Sequence, residues 1–134
     1  MSLSGFAKTV DLLHRALDVA SLRYAVSSNN LANSEVPNFK RTDVNFESEL
    51  KRALDSEKYP TRVFVGKDKG KYVSIDYRSV QPRRVVDYLS TVKANGNNVD
   101  AEEEAMLVLK TQMQYQLMTK LVNFEFAQMK RVLK

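Results

Sequence analysis

Few residues in this chain could do covalent or metal chemistry, and their spacing argues against it. His14 is the only histidine and there is no cysteine, so the usual zinc ligand sets cannot be assembled and thiol catalysis is excluded. A lone helical histidine reads as a surface or packing residue. Gly66 to Lys71 has the glycine and lysine content of a phosphate loop but not its spacing, and Tyr72 stands where the metal-binding hydroxyl would be. That segment reads as a turn. Glu102, Glu103 and Glu104 are consecutive; on a helix, neighbours diverge by about 100° and do not converge on one ion. Three acids at a helix start are explained more simply by the helix dipole. The sequence therefore indicates no catalytic, cofactor or metal site, and no enzyme.

Charge suggests a second chemistry, polyanion binding. The formal charge is +5, and residues 51–95 hold 11 Lys/Arg against 5 Asp/Glu, so the excess lies in the middle of the chain. Lys67, Lys69, Lys71, Arg83 and Arg84, with Tyr72 and Tyr77, could form a basic and aromatic surface for nucleic acid. A solubilising surface is the plainer reading. No RRM, KH or helix-turn-helix signature accompanies these residues, and the reading leaves the two ends of the chain unexplained.

Those ends carry the strongest pattern. Leu3, Phe6, Val10, Leu13, Leu17, Ala20, Tyr24, Ser27 and Leu31 recur at three- and four-residue steps, which draws one stripe along a helix from Leu3 to about Ala32. Ala101, Ala105, Val108, Gln112, Tyr115, Thr119, Val122, Phe126, Met129 and Leu133 repeat it at the other end. Asp100 is placed to cap that second helix, with Glu103 at capping-box spacing, and Lys130, Arg131 and Lys134 suit its far end. Helices of about 30 residues run roughly 45 Å, longer than a globule of this size is wide. The expected fold is mainly α. Long N- and C-terminal helices pack as an elongated coiled-coil-like bundle, with a short helix and a small β-rich middle segment.

Between the helices, Asn29, Asn30 and Asn33 weaken helix propensity and Pro37 blocks continuation. A short helix is expected from about Val44 to Asp55, capped by Thr42 or Asp43. Thr61–Val65 and Lys71–Tyr77 read as strands joined by a hairpin loop, with Val73, Ile75 and Tyr77 on a half-buried face. Pro82 argues against a central strand between Ser79 and Lys93. The expected divisions are an N-terminal assembly helix and loop (1–41), a middle segment (42–96) and a C-terminal assembly helix (97–134). The last helix has a further stripe, Met106, Leu109, Met113, Leu117, Leu121 and Phe124. Two adjoining stripes exceed what one partner helix covers. Either the short helix covers the second stripe or it is an interaction surface, and lengthwise assembly is the reading preferred.

The motif Asn29-Asn30-Leu31-Ala32-Asn33, followed by Pro37-Asn38-Phe39-Lys40-Arg41, closely resembles the N-terminal signature of the bacterial flagellar axial proteins, the rod, hook and hook-associated subunits. Asn38 stands where that signature usually has glycine, a substitution asparagine allows because it tolerates a left-handed backbone. Asn97-Asn98-Val99-Asp100, then Glu103-Glu104 and Gln112 to Gln116, sharpens the resemblance toward the proximal rod. It covers roughly the first 45 and last 40 residues, and another rod-family subunit is the nearest alternative.

The resemblance implies a structural subunit that self-assembles through its terminal helices into a hollow tube. It implies export without a cleaved signal and a place in the periplasmic part of the basal body. Its partners would be copies of itself, other rod subunits, and the adaptor FliE and export gate at the rod base. Nucleic acid and membrane insertion are not implied. Peptidoglycan, another rod protein or neither remain open as neighbours of the basic middle segment. The residues expected at the assembly interface are Phe6, Val10, Leu13, Leu17 and Leu31 from the first helix. From the last they are Val108, Tyr115, Val122, Phe126 and Met129, with Met106, Leu109, Met113 and Leu117 meeting neighbours. The motif asparagines would bond backbone groups where the first helix ends, or simply stop it.

Overall fold

The computed structural model describes residues 2–63 and 70–134. Its first element, α1 (Leu3–Ala32), runs as the apolar spacing requires, with Ser2 Oγ accepting from Gly5 N at its start. The Asp11–Arg15 pair at i,i+4 closes at 3.2 Å, a partly exposed contact of a few tenths of a kcal/mol. After a loop come β1 (Thr42–Asn45), α2 (Glu47–Lys58), β2 (Thr61–Val63), β3 (Lys71–Val73), a 3-10 turn at Tyr77–Ser79 and β4 (Arg83–Val86). The last element is α3 (Ala101–Val132). The chain divides into two compact units, Met1–Asp43 with Val86–Lys134, and Val44–Val85.

In the first unit α1 and α3 pack along each other. The contact buries Val10, Val19, Ala20 and Val26 of α1. Phe6 meets Phe126 edge to face, with centroids 5.7 Å apart, a favoured aromatic geometry. The rotation of α3 differs from what hydrophobicity predicts. Its inward side runs through Glu104, Leu107, Thr111, Gln114, Met118, Val122, Glu125 and Met129, while Ala105, Gln112 and Thr119 face water. Val108, Val122 and Met129 of the predicted seam lie at least partly inside; Tyr115 and Phe126 are about half exposed. Some of the inward polar atoms have partners, since Thr111 Oγ1 donates to Leu107 O (2.7 Å) and Glu104 Oε1 pairs with Arg41, whereas Glu104 Oε2 and Glu125 Oε2 are buried with no hydrogen-bond partner among the described residues.

In the second unit α2 begins later than predicted. Phe46 is its N-cap and makes no side-chain cap bond. Thr42 and Asp43, expected to cap it, belong instead to β1, which pairs with β4. An extended backbone there lets alternate residues Val44 and Phe46 both be buried. The strands β2 and β3 are antiparallel, with Arg62 opposite Tyr72. The predicted half-buried face does not form, since Val73 and Ile75 are exposed and Tyr77 leaves the strand to be buried in the 3-10 turn. A run this short has too few neighbours to cover one face. Most of the predicted hairpin loop, with Lys67 and Lys69, lies outside the described residues. The strand after Pro82 belongs to a two-stranded sheet, which has only edges and so tolerates proline beside it.

Candidate functional site: an asparagine clasp beneath an apolar stripe

The two motif blocks, about 60 residues apart in sequence, close on each other within the first unit. Helix α1 ends where Asn33 N donates to the carbonyls of Asn29 and Asn30, and Asn33 Nδ2 reaches back to Asn29 O at 2.7 Å. Asn29, Ala32 and Pro37 are exposed; Leu31 and Phe39 are half-buried. Asn30 is fully buried. Its Oδ1 accepts from Thr42 N (3.0 Å) and its Nδ2 donates to Thr42 O (2.8 Å), so one side chain imitates a strand neighbour. The asparagines thus do more than stop a helix.

Asn97 and Asn98 bond the same loop from the other side. Asn97 Nδ2 donates to the carbonyls of Asn33 and Val36, each at 2.8 Å, and its Oδ1 accepts from Val99 N. Asn98 Oδ1 accepts from Arg41 N at 2.6 Å, while its Nδ2 donates to Asp87 O at 2.7 Å. Lys40 Nζ bonds Gly96 O. A Cβ at Gly96, whose φ is +81°, would overlap Asn38 Oδ1. Asn38 itself takes φ +60°, the left-handed backbone expected of the residue replacing glycine. Asp100 caps α3, accepting from Glu102 N and Glu103 N at 3.0 and 3.1 Å, as predicted from its position.

An ion network sits where the blocks meet. Glu104 is only 1% exposed, and its Oε1 receives Arg41 Nε at 2.7 Å and Asn30 Nδ2 at 3.2 Å. Its Oε2 is buried with no hydrogen-bond partner among the described residues. Arg41 also lies 3.7 Å from Asp87. Burial works against the guanidinium charge, but the hydrogen bond and charge of Glu104, then Asp43 and Asp87, outweigh it and raise the Arg41 pKa. Asp87 is held down at about 2, first by the Ser90 hydroxyl, then by the amides of Ser90 and Leu89, with Arg41 adding. Sequence reasoning missed this network. Read alone, Glu104 is one of three acids at a helix start, and nothing local marks it as the inward one.

The stripe on α3 is the second feature. Met106, Leu109, Met113 and Leu117 are 52–68% exposed, and Leu121 and Phe124 follow at 42% and 56%. A shallow groove of about 460 Å³ runs among the first four. Phe6, Leu13, Leu17 and Leu31 are partly covered and Val10 is buried. The predicted interface residues therefore fall into two sets, those between α1 and α3 and those facing out. His14 is exposed. Among the described residues no three metal-ligating side chains converge and no helix is long and apolar enough to cross a membrane.

A rigid joint and an unpaired apolar face suit a structural subunit, the class indicated by the two motif blocks that build the joint. Comparison with known proteins narrows it. No family model matches the chain. The flagellar basal body rod protein FlgB of Borreliella burgdorferi is 42% identical over 135 residues, spanning 98% of this chain and all of its own length. FlgB of Borrelia hermsii is 42% identical over 96% of this chain and 98% of its own, and FlgB of Bacillus subtilis 30% identical over 98% and 97%. The chain belongs to the FlgB family of flagellar basal body rod proteins, and its function is that of a structural rod subunit.

Proposed function

We propose that this subunit builds the rod by self-association through its terminal helices, giving a hollow axial tube in which the α3 stripe meets neighbouring subunits. The observation that carries the reading is the row Met106, Leu109, Met113 and Leu117, each more than half exposed, since contiguous apolar surface of this kind marks interaction sites. The pairing of α1 with α3 makes each subunit one stave, and the asparagine clasp closes its end. The assembly residues are those expected from sequence, the α1–α3 set within the subunit and the outward set between subunits.

Transit without a cleaved signal, a periplasmic position, and contact with FliE and the export gate at the rod base complete the proposal. Such a role calls for no catalysis. A substitution on the outward stripe tests it. Met113 is 63% exposed in the free subunit, so Met113→Asp should change stability by no more than about 0.5 kcal/mol. In assembly it would bury an unpaired charge in every subunit. Cells carrying it should export the protein yet complete no rods. Normal rods containing Met113→Asp would overturn the proposal.

A further inference from the structure

We propose that the Arg41–Glu104 pair sets the rotation of α3 about its own axis, and so decides which face of that helix the subunit offers outward. Its importance for the rod rests on the reading of the stripe as an assembly surface. Residues two apart on a helix diverge by about 200°, so Met106 points almost opposite Glu104, and both Leu109 and Met113 almost opposite Thr111. At these positions burial of apolar area would favour the reverse of what is seen, while Leu107, Val108, Met118, Val122 and Met129 put apolar residues on the inward side as well. Glu104 and Thr111 are 1% and 5% exposed, whereas Met106 and Met113 are 68% and 63% exposed. With apolar residues on both sides of the helix, hydrophobicity alone does not choose which side turns inward.

The geometry identifies what does. Arg41 is a fixed post: its N–H is held by Asn98 Oδ1, and its carbonyl by Asp87 N at 2.9 Å. Its Nε donates to Glu104 Oε1 at 2.7 Å, and Asn30, itself locked to Thr42, supplies a second donor to the same oxygen. Glu104 lies in the first turn of α3, which Asp100 caps by accepting from the amides of Glu102 and Glu103. Capping fixes where the helix starts but not the azimuth of its whole length. A buried carboxylate on a guanidinium whose own backbone is tied down fixes that azimuth, because any large turn would pull the charge from its donors. Arg41 and Glu104 are positioning residues for the assembly surface.

The chain has no cysteine, so single thiols report rotation directly. Thr111→Cys and Met113→Cys are placed separately in the parent chain and in an Arg41→Met/Glu104→Leu background, and alkylation rates are read on dilute subunit. In the parent, Met113→Cys should react about tenfold or more faster than Thr111→Cys, since the latter needs local opening. In the paired background, with the helical signal retained, Thr111→Cys should speed up and Met113→Cys should slow by severalfold, because rotation carries one out of the contact and the other into it. A pair that merely stabilised the fold would speed Thr111→Cys through easier opening and leave the already exposed Met113→Cys at its parent rate, and that result would overturn the proposal. Equal reactivity in the parent would also overturn it. Should the paired variant not fold, Arg41→Lys keeps the charge but loses the Nε donor, and slowing or no slowing of Met113→Cys decides in the same way. The assay needs no assembly, so it can fail while self-association stands, and the rod test of Met113→Asp can fail while this stands.

Discussion

Replacing Arg41 by alanine should be among the most damaging single changes in the first unit. Glu104, 1% exposed in the parent, would be left with only Asn30 Nδ2 on its Oε1, and its Oε2 already has no hydrogen-bond partner among the described residues. At 2.7 Å and an effective dielectric constant near 20, the lost attraction is about 6 kcal/mol. Relaxation of the site and entry of water reduce the observed cost to about 3–5 kcal/mol, as for other buried pairs broken from one side. A domain holds only about 5–15 kcal/mol in total, so much of its stability would go. With a urea slope near 2 kcal/mol/M, the midpoint of the helical signal should fall by about 2 M. Arg41→Met/Glu104→Leu removes both charges and should stay within about 1 kcal/mol of the parent or exceed it. The reasoning is refuted if Arg41→Ala shifts the midpoint by less than about 0.3 M, or if the paired replacement is as harmful as the single one.

Asn97→Ala strips partners from two carbonyls and the Val99 amide; a loss of about 2–4 kcal/mol in urea unfolding is expected. Gly96→Ala meets both a left-handed backbone and Asn38 Oδ1 and should cost more than about 1 kcal/mol, whereas Asn38→Gly should be neutral or slightly stabilising, both read from thermal midpoints. The Asp87 carboxyl sits at about 2 in the folded chain against an ordinary 3.8. Its contribution to the turn is therefore complete above about pH 4 and lost as pH falls toward 2, and the Ser90 amide shift followed by NMR should titrate with a midpoint near 2.

Local signals made the helices legible. Spacing located α1 and α3, the Asp100 cap marked the start of α3, and the exchange of glycine for asparagine at position 38 foretold its positive φ. The rotation of α3 was not legible, because it depends on a bond between residues 63 positions apart. Hydropathy ranks Glu104 and Thr111 as surface residues; only the position of Arg41 makes them interior ones. The start of α2 was misread for a similar reason. Thr42 and Asp43 are good caps locally, but Asn30 takes both backbone groups of Thr42 and draws that segment into an extended form. The motif asparagines were visible as a block, while their partners across the clasp left no periodic mark in the chain.

A density map of the assembled rod with side chains resolved tests the central claim most directly. The account predicts that each subunit keeps Glu104 against Arg41 and that Met106, Leu109, Met113 and Leu117 are covered by neighbouring subunits. A rod in which this stripe remains exposed, or in which the subunits meet through the Val44–Val85 unit alone, would contradict it.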